Sequence, residues 1–204
     1  MVFPPRIAVA THNGHKLREL ARICADWPVA WLTVQDHDPA AFPDVEEIGA
    51  TYLDNAVLKA QAVAQASGVP AIADDSGIEV DALGGRPGPR SARFAGGTAT
   101  DEDNLRLLMN ALKGIPTAGR TARYRCVAVL ATPLGDIVHT EGRCEGTLVA
   151  KRRGERGFGY DPIFVPEGWE ETMAELTDDQ KDRISHRGRA FRALRGLLGV
   201  PDSR

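Results

Sequence analysis

The apolar pattern of this chain changes character about half-way along, and that change narrows the folds open to it. In the first half, strand-length apolar runs alternate with helical spacings. "RIAVAT", residues 6–11, is broken by Asn13 and Gly14, after which Leu17, Leu20, Ala21 and Cys24 recur at helical intervals. "VAWLTV" is a second short run, followed by a polar, proline-bearing loop over residues 35–47. "TYLDNAVLKAQAVAQASG" predicts the clearest helix, with Leu53, Val57, Ala60 and Ala64 as its stripe and Gly68 and Pro70 as its stop. "AIAD" and "IEVDAL" predict two separate strands, the first ending on Asp74 and Asp75. In the second half, "ARYRCVAVLAT" and "DIVHTEGRCEGTLVA" follow each other across a turn at residues 133–135, as paired strands do. Thr100 with Asp103, and Thr177 with Gln180, have the spacing of capping boxes, and "FRALRGLLG" predicts a closing helix. Alternation first and direct strand pairing later predict an α/β fold with a mixed sheet.

With 204 residues, 43% of them hydrophobic and 26% charged, the chain can bury one sizeable core. No repeat or linker interrupts it, so one domain over residues 1–204 is expected. The net charge of −3 supplies no general attraction to nucleic acid or membrane. Any anion site must therefore be built locally, and neither partner is expected. Cys24, Cys126 and Cys144 are widely spaced and form no CxxC pair. They read as reduced thiols of a cytoplasmic protein rather than as a disulfide or zinc framework. The stretch "MVFPPRIAVAT" has neither a basic segment nor a long apolar one, so export and membrane insertion are not expected.

Several short segments could carry chemistry. Asp74 and Asp75, at the expected carboxyl end of a strand, repel each other unless a cation intervenes, and Mg²⁺ prefers such oxygen ligands. The competing reading has Asp74 capping a turn with Ser76 and Gly77 while Asp75 is solvated. Glu46 and Glu47 could add a metal ligand or be a solvated pair. "THNGHK", Thr11 to Lys16, is a strand-to-helix turn whose N–H groups and lysine suit a phosphate, or a simple N-cap. It is not a Walker A loop. Asn55 and Lys59 share one face of the long helix. "GFGYDP" offers Phe158 and Tyr160 for stacking on a base or for the core, and "SHRGRA" presents His186 and Arg187 after a break in helical pattern, with Lys181 shortly before.

Together, "ATHNGHKLREL", "EEIGATYLDNAVLKA", "AIADDSGIEVDALGGRPGPRSARFAG", "GFGYDPIF" and "AELTDDQKDRISHRG" resemble, in order and end to end, the non-standard purine nucleoside triphosphate pyrophosphatases. These enzymes hydrolyse ITP, dITP and XTP. The resemblance implies an elongated mixed β-sheet with flanking helices, two lobes around a central nucleotide cleft, and a homodimer. It implies Asp75 as general base and Mg²⁺ ligand, with Glu46 as a second metal contact. Thr11, His12, Asn13, Gly14, His15 and Lys16 fall on the family's triphosphate loop, where His12 replaces a common glycine or asparagine. Ser76 falls on a substrate contact and Lys59 on a cleft lysine. Phe158, Gly159, Tyr160 and Asp161, with Lys181, His186 and Arg187, fall on the segments that hold the base. Two other readings share some of these features. Maf-like pyrophosphatases act on pyrimidine or modified nucleotides, and a non-hydrolysing module would bind nucleotide alone.

Overall fold

The structure, a computed structural model, describes residues 4–199. In chain order its first elements are β1 (Arg6–Val9), α1 (Gly14–Ile23), β2 (Ala30–Leu32), α2 (Tyr52–Ser67) and β3 (Ala71–Val80). Then come α3 (Asp101–Ala111), β4 (Thr121–Ala131), β5 (Ile137–Leu148), β6 (Phe164–Pro166), α4 (Asp178–Ile184) and α5 (His186–Leu197). The strands run in the order β2-β1-β3-β4-β5-β6. β1 is parallel to both β2 and β3, and β5 is antiparallel to β6, so the sheet is mixed as the sequence predicts. No helix among the described residues is long and apolar enough to cross a membrane.

Within the single expected domain, the chain forms two compact units. The first comprises Met1–Asp75, Cys126–Gly142 and Arg187–Arg204. Its strands alternate strictly, because successive side chains of a strand point to opposite faces. Ile7, Val9, Ile72, Cys126, Ala128 and Leu130 pack with α1 and α5, through Leu20, Phe191 and Leu194. Ala8, Ala10, Ala71, Ala73, Val127 and Val129 pack instead with α2, through Ala56, Ala60 and Val63. Small residues dominate that second layer and bring α2 close to the strands.

The second unit comprises Ser76–Arg125 and Arg143–His186. One core joins Ile78 and Val80 of β3 to Leu105 and Leu108 of α3, Tyr124 of β4 and Phe164 of β6. Both expected capping boxes form, Thr100 with Asp103 and Thr177 with Gln180.

Three sequence expectations change. "AIAD" and "IEVDAL" are not two strands, because β3 runs unbroken through Asp74, Asp75 and Ser76. Asp74 therefore caps no turn. The glycine that suggested a break, Gly77, is required by packing: a Cβ there would lie 2.2 Å from the carbonyl oxygen of Gly88. The glycine- and arginine-bearing segment after β3 folds back at this point, where Ser91 Oγ accepts from Ile78 N and donates to Gly88 O. The stripe of α2 is also rotated. Tyr52, Asn55, Ala56, Ala60, Val63 and Ala64 are buried, whereas Leu53 and Val57 are only partly covered. Finally, the closing helix starts at His186, directly after a break at Ser185.

Candidate active site

Two groups of chemically capable side chains stand out, one in each unit. The first gathers on β3. Asp74 is 1% exposed and Asp75 4%. As neighbours in a strand they face opposite ways, and each meets a different set of partners.

Asp74 faces α1 and α5. Its Oδ2 accepts from Arg187 through Nη2 at 3.0 Å and Nε at 3.3 Å. Lys16 Nζ lies 3.1 Å from the same oxygen and donates to the Asp74 carbonyl at 3.3 Å. Arg187, 1% exposed, also pairs through Nη1 with Glu19 on α1. Burial opposes ionisation of Asp74, but Arg187, then Lys16 and Lys59, outweigh it and hold the carboxyl well below the usual carboxylate range.

Asp75 faces α2. Asn55 Nδ2 donates to its Oδ2 at 3.1 Å, and Lys59 Nζ lies 3.6 Å from its Oδ1. Lys59 sits closer to Glu47, at 2.5 Å. Burial pushes the Asp75 carboxyl above its usual range, Lys59 and Lys16 act against that, and Glu47 adds to it. Lys59 itself is held above its usual value by Asp75 and Glu47, against the effect of burial. A basic carboxylate, a fixed ammonium and a second carboxylate thus occupy one face. The idea that one cation must separate Asp74 from Asp75 is replaced, since the strand itself separates them.

The two carboxylates around Lys59 also bear on metal binding. Among the described residues no three His, Cys, Asp or Glu side chains gather as a metal site. Yet Asp75 and Glu47 already hold one cation, the Lys59 ammonium, between them. Hard oxygen donors of this number fit Mg²⁺, which commonly takes one or two carboxylates and completes its shell with water and phosphate oxygens. Glu46, the residue expected from the sequence, is solvent-exposed, whereas Glu47 is the one paired with Lys59.

The loop from Thr11 to Lys16 is shaped by Asn13, which caps α1 by accepting from His15 N at 2.9 Å and Lys16 N at 3.2 Å. Thr11 Oγ1 in turn accepts from Asn13 N. His12 and His15 are exposed, His12 near Asp44 and His15 beside Arg18. Of this loop, Lys16 reaches the Asp74 group. Ser76 follows Asp75 in β3 and is partly exposed.

The second group lies in the other unit and centres on Asp161, 3% exposed. Its Oδ2 accepts from Lys181 Nζ at 2.5 Å and from Phe158 N at 2.9 Å, and its Oδ1 accepts from Tyr124 Oη at 3.1 Å. Gly157 adopts φ +72 and passes so close that a Cβ would lie 2.1 Å from Asp161 Oδ2. Lys181 Nζ also sits 5.1 Å from the Phe158 ring centroid. Gly159 N donates to Asp101 at the surface, and the Tyr160 hydroxyl donates to Ser91 O in the buried core of this unit. The His186 ring stacks on Tyr124. Phe158, Asp161 and Lys181 thus form one constellation, with His186 joined to it through Tyr124. Arg187, expected with them, belongs to the Asp74 group instead.

The model of the Ham1 family matches residues 7–197. The chain belongs to the Ham1 family. A dITP/XTP pyrophosphatase of Streptomyces coelicolor is 48% identical over 198 residues, covering 95% of this chain and 99% of that protein. One from Desulforamulus reducens is 45% identical over 193 residues, 95% of each chain. Among solved structures, the Staphylococcus aureus Ham1 protein superposes with a TM-score of 0.82 at 39% identity, covering 95% of this chain and 98% of that one. Beyond the residues singled out in the sequence, the structure brings Glu19 and Tyr124 into these groups, and it sets Glu47 rather than the expected Glu46 against Lys59. Glu19 carried one usable signal: it lies three residues after Lys16, on the same face of α1.

Proposed function

We propose that this protein hydrolyses non-standard purine nucleoside triphosphates, dITP, ITP and XTP, to the nucleoside monophosphate and pyrophosphate with Mg²⁺. The observation that carries this reading is the buried Asp75, made more basic than an ordinary aspartate and flanked by Lys59 and Glu47. Its membership of the Ham1 family and relatives named dITP/XTP pyrophosphatase support the substrate class.

Asp75 takes a proton from the attacking water, and Asn55 fixes the carboxylate through Oδ2 so that Oδ1 faces the lysine. Attack at the α-phosphorus makes pyrophosphate the leaving group. Lys16 then stabilises the charge that develops on it, a role the ammonium can take by leaving Asp74, which Arg187 still neutralises. Mg²⁺, when bound by Asp75 and Glu47, supplies neutralisation of the polyphosphate. The Asp161 group reads the base: a donor from Lys181 or His186 suits the 6-oxo oxygen of hypoxanthine and xanthine, and the 6-amino group of adenine meets it as donor against donor. A homodimer is proposed with it, as in the resemblance.

The test is product analysis with dITP, XTP, ITP, GTP and ATP, with and without Mg²⁺. Pyrophosphate, not phosphate, is expected. ATP should be rejected by roughly 10⁴-fold, since a site built around a specific hydrogen bond leaves buried groups unpaired with a mismatched partner. GTP, which keeps the 6-oxo group, should be rejected less completely. Equal turnover of ATP and ITP would replace this reading with a general nucleotide pyrophosphatase.

A further inference from the structure

Tyr124 lies on β4, 7% exposed. It meets two parts of the second group that are far apart in sequence. Its hydroxyl donates to Asp161 Oδ1 at 3.1 Å. Its ring lies flat on the His186 imidazole, with centroids 4.6 Å apart and planes 8° from parallel. Phe164 closes its other contact edge-on at 4.8 Å. We infer that Tyr124 is a positioning residue for base recognition, holding Asp161 by its hydroxyl and His186 by its ring.

The geometry gives the hydroxyl a definite task. Asp161 presents one oxygen to both Lys181 and Phe158 N, and the other to Tyr124. With Oδ1 tied, the carboxylate plane is fixed, and so are the direction of the Lys181 ammonium and the height of the Phe158 loop. Untied, the carboxylate can rotate about its Cβ–Cγ bond and carry both partners with it. The ring has a separate task. His186 begins α5 immediately after the break at Ser185, where helix geometry alone leaves its ring direction open. A coplanar neighbour restricts it. Asp161, His186 and Phe164, the partners through which Tyr124 acts, all belong to the second unit, so its removal should alter binding of the base rather than the chemical step. The inference rests on the assignment of the Asp161 group to the base.

The experiment uses the full chain with Tyr124→Phe, which keeps the ring, and Tyr124→Leu, which removes it. The Asp161 carboxylate is a charged acceptor, and loss of a hydrogen bond to one corresponds to about tenfold or more, of which an indirect, positioning role passes on a part. Tyr124→Phe should raise KM for dITP and XTP about fivefold with kcat within about twofold of wild type. Tyr124→Leu should raise KM further. In the proton NMR spectrum, the His186 ring resonances should keep their ring-current shift in Tyr124→Phe and lose it in Tyr124→Leu. An unchanged KM in a folded Tyr124→Phe protein would overturn the inference, as would equal falls in kcat and melting temperature with KM constant. If wild type releases no pyrophosphate from any substrate, the functional reading fails on its own. The inference is then decided by inosine 5′-monophosphate affinity in calorimetry: weakening in Tyr124→Phe supports it, and unchanged or absent binding overturns it.

Discussion

Asp74 and Asp75 are adjacent in one strand, carry the same side chain and are both buried, yet their pKa values are displaced in opposite directions. Asp74 meets a guanidinium and an ammonium at hydrogen-bond distance, which more than offset the cost of burying its charge. Asp75 meets an amide and an ammonium that is itself drawn towards Glu47, so burial prevails. The period of two in a strand makes this possible: one residue step moves a carboxylate from the α1–α5 face to the α2 face. The difference separates a structural carboxylate from a reactive one without any change of residue type.

The largest expected effect tests the reactive side. Asp75→Asn keeps shape and removes the proton acceptor, and general-base loss costs about 10²–10⁴-fold in kcat. Because the folded-state pKa of Asp75 is raised, its ionised form costs stability as pH rises through that pKa, so the variant should melt no lower than wild type at neutral pH. In wild type the acid limb of kcat/KM should fall above the ordinary aspartate value of about 3.9. Steady-state kinetics across pH and calorimetric melting decide it. A variant that melts early yet keeps turnover within a few-fold would exchange the roles assigned to the two aspartates.

Next comes the structural side. Arg187→Met leaves Asp74 and Glu19 buried with one cation fewer, and breaking such a group by removing one partner costs about 3–5 kcal/mol. A fall in the urea midpoint is expected. Asp74 has a depressed folded pKa, so its stabilisation is present above the unfolded value and is lost as pH falls towards the folded one. That acid-dependent part should shrink in the variant. Unchanged stability with relaxed choice between XTP and ATP would instead restore the base-reading role that the sequence suggested for Arg187.

What the sequence made legible follows from distance along the chain. Thr100 with Asp103 and Thr177 with Gln180 are local pairs, and their caps form as spaced. Asn55 and Lys59 are four residues apart on one helix and do reach the same carboxylate. Arg187 lies 113 residues from Asp74 and 168 from Glu19, and no periodicity records such a meeting. The strand through Asp74, Asp75, Ser76 and Gly77 was hidden for another reason. Those residue types favour turns, and only the surrounding cations and the close approach of Gly88 make an extended path stable. The rotated stripe of α2 has the same origin: Asn55, polar yet 0% exposed, faces inward because it bonds both Asp75 and the Gly49 N–H.

The smallest effect sharpens the α2 side, where the sequence pointed to Glu46 and the structure sets Glu47 against Lys59. Glu47 lies 2.5 Å from Lys59 and acts on Asp75, whereas Glu46 is exposed. Glu47→Gln should therefore do two linked things. It removes one of two carboxylates able to hold Mg²⁺, so half-saturation should need about tenfold more of the ion. It also frees Lys59 to turn fully to Asp75 and deletes a neighbouring negative charge, so the Asp75 pKa should fall and the acid limb of kcat/KM move to lower pH. A lost ligand acting alone would change the Mg²⁺ requirement but not that limb. Glu46→Gln should change neither by more than about twofold, as for an exposed charge with no buried partner. Mg²⁺ titrations at several pH values in both variants measure each quantity. If Glu46→Gln raises the Mg²⁺ requirement and Glu47→Gln does not, the metal lies one residue earlier in the loop, and Lys59 with Glu47 is a structural pair.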